Sequence, residues 1–92
     1  MTYKEFEEEI KILGLVCEYD FNTVSIIDPN YRECLLARVS LDTLNSMTTT
    51  PDISRLSFFD SYRLLSLCFC LSRTIVEERQ TVTMNYNLEN NI

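Results

Sequence analysis

The first apolar positions of the chain recur at the spacing of an amphipathic helix. They are Tyr3, Phe6, Ile10 and Leu13. Thr2, followed three residues later by Glu5, forms the pattern of a capping box and predicts that the helix begins just after Thr2. Gly14, the only glycine, follows the last apolar position, where a C-terminal cap belongs.

Three short segments after this helix are rich in β-branched or alternating apolar residues, which is typical of strands. They comprise residues 15–19, 23–27 and 34–40. Residues 20–22 (Asp-Phe-Asn) and 28–30 (Asp-Pro-Asn) have turn composition. Short turns between successive strands predict an antiparallel meander.

Residues 41–53 show no helical period, and Pro51 biases the preceding residue toward extended geometry. We expect a loop here that includes an extended edge. Such a loop is long for a small domain, and long loops often carry function.

A long apolar helix is predicted from Ser57 to about residue 75, with Asp60 completing a weaker capping pattern. One apolar stripe consists of Phe58, Tyr62, Leu65 and Phe69, and it is widened by Leu64, Leu67, Cys68 and Leu71. Because little polar surface remains, we expect this helix to be the main core element, with its aromatic residues mostly buried on the sheet.

The end of the chain alternates strictly between apolar and polar residues, which predicts a strand. Val82, Met84, Tyr86 and Leu88 are the apolar positions. This strand would add to the sheet or lie on its edge, and residues 89–92 are expected to fray. The sequence therefore predicts one α+β domain over residues 1–92, in the order α-β-β-β-α-β, with an antiparallel sheet packed on one long apolar helix.

The charge balance limits the classes of partner. The chain carries 14 acidic and 8 basic residues, a net charge of −6. This disfavours direct binding to nucleic acid or to an anionic membrane, both of which require a basic surface. The acidic N-terminal sequence is unlike a signal peptide, and no apolar run approaches the ~20 residues of a membrane span. We therefore expect a cytoplasmic protein without disulfides.

The residues needed for catalysis are scarce. The chain has no histidine and a single glycine, so the commonest general base and any glycine-rich phosphate loop are missing. We expect no enzyme activity and no cofactor.

The remaining candidates for a metal site are Cys17, Cys34, Cys68 and Cys70. On a helix, positions 68 and 70 are rotated by ~200°, so their thiols cannot bind one ion. Zinc is the weaker alternative to three buried cysteines and an exposed Cys70.

Two surfaces are candidates for binding a partner. The first is acidic and comprises Glu5, Glu7, Glu8, Glu9, Glu18 and Asp20. These residues either keep the protein soluble or meet a basic groove that normally holds nucleic acid. The second contains Phe59 beside Arg63, on the polar side of the long helix. Phe59 is either an exposed interface anchor or is covered by residues 41–53.

Three segments together resemble a known family. They are residues 3–15, residues 36–40 (Leu-Ala-Arg-Val-Ser) and residues 76–79 (Val-Glu-Glu-Arg) before a Tyr-containing strand. The arrangement resembles small accessory proteins of phages and prophages of Gram-positive bacteria. In these proteins an N-terminal helix leads into a small sheet, and a second helix ends near a Glu-Arg pair before a short extended tail. The resemblance implies a location in the host cytoplasm and no catalytic residues.

The resemblance also implies a function. Small acidic phage proteins often block host defence nucleases, so we expect an anti-CRISPR that inhibits a type II Cas9 by blocking nucleic-acid loading or activation. Mimicry would place the acidic residues on arginines and lysines that normally hold phosphate or the PAM duplex. Steric blocking would instead use Phe59 and Arg63. The alternative is a homo-oligomeric phage accessory or structural protein that dimerises through the 82–88 strand.

Overall fold

The computed structural model describes residues 1–80 as two helices packed on a four-stranded sheet. The elements are α1 (Tyr3–Ile12), β1 (Val16–Tyr19), β2 (Thr23–Asp28), β3 (Cys34–Ser40), β4 (Met47–Thr49) and α2 (Phe58–Arg73). Short 3-10 helices occupy Pro51–Arg55 and Val76–Arg79. None of the helices in this part of the chain is long and apolar enough to cross a bilayer.

The sheet has the order β1-β2-β3-β4 and is antiparallel throughout. Its core face carries the fully buried pair Val24 and Val39, which are aligned in the β2–β3 register. Both helices contribute side chains to the same core, so they cover this one face. The opposite face presents a polar row across the four strands: Glu18, Ser25, Arg38 and Thr48. The predicted α+β class, with an antiparallel sheet on a long helix, is confirmed.

The sequence features of α1 act as predicted. The Thr2 hydroxyl accepts from the Glu5 backbone N–H, and the Glu5 carboxylate accepts from the Thr2 backbone N–H, which completes the capping box. These hydrogen bonds hold the pKa of Glu5 below its usual value. Phe6 and Ile10 are buried, and Gly14 follows the helix with a φ of +77°. That left-handed conformation explains why a glycine stands there.

The two helices run antiparallel to each other. At one end of the pair the terminal ammonium of Met1 donates to Thr74 Oγ1 over 3.1 Å. Further along α1, Glu9 Oε2 lies 2.8 Å from Arg63 Nη2. The C-terminal end of α1 therefore lies at the same end of the molecule as the start of α2.

Residues 41–53 form a loop only in their first half, and their second half contains the expected extended edge. Met47–Thr49 forms β4, paired with β3, and Pro51 begins a 3-10 helix. The Thr50 backbone N–H donates to Leu36 O over 3.0 Å and its hydroxyl donates to Leu35 O over 2.6 Å, which extends the attachment to β3. Thr48 and Thr49 supply the β-branched composition of this edge strand. The predicted strand at 82–88 and the frayed end at 89–92 lie outside the described residues.

The aromatic stripe of α2 was expected in the core, and that expectation is wrong. The buried apolar residues of α2 are Leu64, Leu67, Cys68 and Leu71. The exposed ones are Phe58, Phe59, Tyr62, Leu65 and Phe69. The aliphatic stripe and the aromatic stripe are roughly 140° apart at 100° per residue, so a single sheet face cannot bury both. Of the aromatic residues expected in the core, only Phe6 is fully buried.

The last described turn is held in place by Arg79, the one fully buried charged side chain in residues 1–80. Its guanidinium donates from Nε to Thr74 O (2.9 Å), from Nη1 to Ser40 O (2.6 Å) and from Nη2 to Ser72 O (3.2 Å). Arg79 therefore joins the end of α2 to the end of β3. Composition and periodicity did not indicate this role.

We expect Arg79→Lys to lower the free energy of unfolding by about 2–3 kcal/mol, because one ammonium cannot serve three carbonyls spread around a planar fork. Urea denaturation followed by circular dichroism measures the change. The matched control is Arg38→Lys, on the exposed sheet face, which should stay within about 0.5 kcal/mol of the parent. Equal effects of the two substitutions would contradict the structural role of Arg79.

Candidate functional site

The acidic residues of α1 are largely engaged within the fold. Glu7 accepts a hydrogen bond from the Tyr19 hydroxyl of β1, and Glu9 pairs with Arg63 of α2. Glu5 belongs to the cap. Successive residues of a helix are 100° apart, so Glu8 points away from the side chains on either side of it. Glu8 is exposed to solvent.

The other two predicted acidic residues lie elsewhere. Tyr19 faces α1, because its ring packs edge-on against Tyr3 at 6.4 Å between centroids. Alternation along β1 then places Glu18 on the opposite, open face of the sheet. Asp20 lies in the following turn, where its carboxylate accepts from the Phe21 backbone N–H over 2.7 Å. The structure thus distributes the six acidic residues over separate surfaces.

The start of α2 presents an apolar pair that we call the aromatic end, comprising Phe58 and Phe59. These side chains are 78% and 79% exposed. The two phenylalanine rings meet edge to face with centroids 5.8 Å apart. The antiparallel arrangement of the helices brings Ile12, at the end of α1, to the same end of the molecule. Phe59 is therefore exposed and is not covered by residues 41–53.

A groove lies between α2 and the edge strand, and we call it the α2–β4 groove. Its lining residues are Met47, Tyr62, Leu65, Ser66 and Phe69, and its volume is about 330 Å³. Arg73 lies over the Phe69 ring, with its guanidinium carbon 5.4 Å from the ring centroid. The rest of the aromatic stripe lines this groove, on the side of α2 that faces the sheet edge.

A second groove of about 390 Å³ lies between α1 and β1 and contains Glu7, Cys17 and Tyr19. Burial, with a contribution from the Glu7 charge, raises the pKa of Cys17 to about 12. Burial and the hydrogen bond to Glu7 also raise the pKa of Tyr19. Both groups are therefore protonated at neutral pH. A protonated thiol is a poor nucleophile, and the carboxylate beside it is occupied by the tyrosine hydroxyl.

The four cysteines do not converge. Cys68 is buried and Cys70 is exposed, as expected for positions that face opposite sides of a helix. Cys17 and Cys34 are half-buried at different places in the sheet. No group of three potential metal ligands occurs within residues 1–80. Within the described part of the chain, the cysteines therefore do not form the converging ligand set that zinc requires.

Comparison with known proteins does not identify a relative. No protein-family model, curated protein or solved structure matches this chain. The phage resemblance stays a hypothesis based on the three segments quoted above.

We expect the cysteines to differ sharply in reactivity. At pH 8 iodoacetamide should modify exposed Cys70 first, while Cys17 and Cys68, whose pKa values are raised to about 12 by burial, stay unmodified until the protein unfolds. A raised pKa means that the reactive thiolate forms only at higher pH. Peptide mass spectrometry with and without urea measures the labelling, and equal native labelling at positions 68 and 70 would contradict the structure.

Proposed function

We propose that the protein is a non-catalytic binding module that contacts a partner protein through the aromatic end. The observation that carries this proposal is the pair of adjacent phenylalanines, each nearly 80% exposed. Folding has left two large apolar rings in water at one place, and exposed Ile12 lies at the same end of the molecule. Clustered exposed aromatics of this kind are typical of interface anchors, because their burial on binding recovers the hydrophobic free energy.

The charges around the aromatic end fit a protein partner. Arg63, one turn after Phe59, is half exposed and already paired with Glu9. A screened surface pair of this kind is worth under about 1 kcal/mol, so it can be exchanged for a charged group of a partner. An apolar centre with exchangeable charges at its rim is the common anatomy of protein interfaces.

The phage resemblance directs the choice of partner to a host defence nuclease in the cytoplasm of the infected cell, and most specifically to a type II Cas9. The protein would act as an anti-CRISPR that blocks nucleic-acid loading or activation by protein–protein contact. The net charge of −6 supports a protein partner over direct nucleic-acid binding.

Of the two modes of inhibition, the geometry favours steric blocking. Mimicry of a nucleic acid needs carboxylates aligned on one surface. Here Glu7 and Glu9 are engaged by Tyr19 and Arg63, and Glu18 lies on the opposite face of the sheet.

We expect Phe59→Ser to weaken binding to the partner at least tenfold, about 1.4 kcal/mol, because it removes a central apolar anchor. Biolayer interferometry on immobilised Cas9 measures the affinity, and a DNA-cleavage assay measures the inhibition. Because Phe59 is exposed, circular dichroism of the variant should match that of the parent protein.

The matched control is Glu8→Lys, which reverses a charge on the exposed side of α1 without breaking a contact of the described fold. We expect this variant to bind within about twofold of the parent, a difference of only ~0.4 kcal/mol. The reverse pattern, with loss of binding in Glu8→Lys and not in Phe59→Ser, would support acidic mimicry instead. No binding to any Cas9, combined with a dimer in light scattering, would favour the homo-oligomeric accessory protein.

A further inference from the structure

The outer edge of β4 is open within residues 1–80, where β4 pairs with β3 alone. The Ser40 N–H donates to Ser46 O and the Thr50 N–H donates to Leu36 O, so the even-numbered residues of this segment direct their backbone groups toward β3. By the alternation of an antiparallel ladder, Met47 and Thr49 direct their N–H and C=O groups outward. This edge can therefore accept another strand.

The described chain ends at one end of this edge. Arg79 Nη1 donates to Ser40 O, at the last residue of β3 and beside the start of β4. The Asn45 N–H donates to Ser72 O over 2.8 Å, which brings the end of α2 to the same place. Gln80 has extended backbone angles, with φ −64° and ψ 152°. The described chain therefore ends where β4 begins, at the Phe69 end of the α2–β4 groove.

A strand that follows the outer edge from this point runs parallel to β4, and β4, α2 and the added strand form a β-α-β unit. Its handedness follows from the hydrogen bonds. Viewed from the helices with β3 running upward, an L-residue whose side chain points away directs its N–H to the left. Ser40 is such a residue, because it alternates with buried Val39, and its N–H reaches Ser46. Hence β4 lies to the left of β3.

When β4 is turned to run upward in the same view, its outer edge is on its right. A strand placed there and reached through α2, on the viewer's side, makes a right-handed crossover. About 98% of such connections are right-handed. A left-handed crossover would be rare, so the right-handed geometry favours the added strand.

The residue pattern fits the same position. The core face of the sheet is apolar, and its open face carries the polar row from Glu18 to Thr48. Residues 82, 84, 86 and 88 are Val, Met, Tyr and Leu, whereas residues 81, 83, 85 and 87 are Thr, Thr, Asn and Asn. A strand of period two at this edge would place the first set on the α2–β4 groove and the second on the polar face.

We propose that residues 81–88 form a fifth strand, parallel to β4 on its outer edge, and that their apolar side chains fill the α2–β4 groove. Eight residues span ~26 Å at ~3.3 Å per residue, more than the three residues of β4 require. The occupant is the chain's own segment because it leaves the fold beside the groove, so its effective concentration there is on the order of millimolar.

Fluorescence of single-tryptophan variants of the full chain tests this proposal, because the protein has no tryptophan of its own. Tyr86→Trp places the probe among the apolar positions, and the matched control Asn85→Trp places it among the polar positions one residue away. We expect emission at shorter wavelength and at least threefold weaker acrylamide quenching for Tyr86→Trp than for Asn85→Trp. Equal emission and equal quenching of the two variants would overturn the proposal.

A second substitution locates the contact. Leu65→Glu, added to Tyr86→Trp, places a charge in the α2–β4 groove and should return the emission to the wavelength of Asn85→Trp, with α-helical circular dichroism unchanged. Unchanged emission would show that the segment docks elsewhere and would overturn the proposal.

Dilution distinguishes the chain's own segment from that of a second copy. Emission independent of concentration, with a monomer in light scattering, supports the proposal, and a dimer whose blue shift is lost on dilution overturns it.

Discussion

Both helices share one face of a narrow antiparallel sheet, and the rest of the structure follows from that constraint. The buried face offers room for one stripe of each helix, so α1 contributes Phe6 and Ile10 while α2 contributes its aliphatic stripe. Every further apolar residue of α2 must remain at the surface or be covered by something outside this two-layer core. The exposure of the aromatic stripe of α2 is the direct result.

This division gives α2 two different surfaces. The aromatic end lies at the start of the helix, beside the end of α1, and carries a protein-binding function in our proposal. The α2–β4 groove lies further along the helix, where the apolar flank of α2 meets a strand edge that is open within residues 1–80. An edge that directs unpaired backbone groups beside exposed aromatic rings is an aggregation hazard, and a fifth strand would remove both features together.

Arg79 fixes the end of the described chain against the two-layer core. A guanidinium buried without a carboxylate is costly unless its donors are matched, and here three backbone carbonyls match them. These carbonyls belong to the end of α2 and the end of β3. The three hydrogen bonds therefore fix where the chain leaves the two-layer core. The described chain therefore ends beside the α2–β4 groove, at the opposite end of α2 from the aromatic end.

Local patterns in the sequence determined α1, its capping box, the turn at Gly14, the three-strand meander and the start of α2, because each depends on residues within a few positions of one another. They also placed Cys68 and Cys70 on opposite sides of α2. Only the tertiary structure decided which stripe of α2 is buried, because two stripes of similar hydrophobicity compete for one sheet face. It likewise decided the pairing of β4, the separation of Glu18 from Glu7 across the sheet, and the burial of Arg79, since each depends on contacts between residues far apart in the chain.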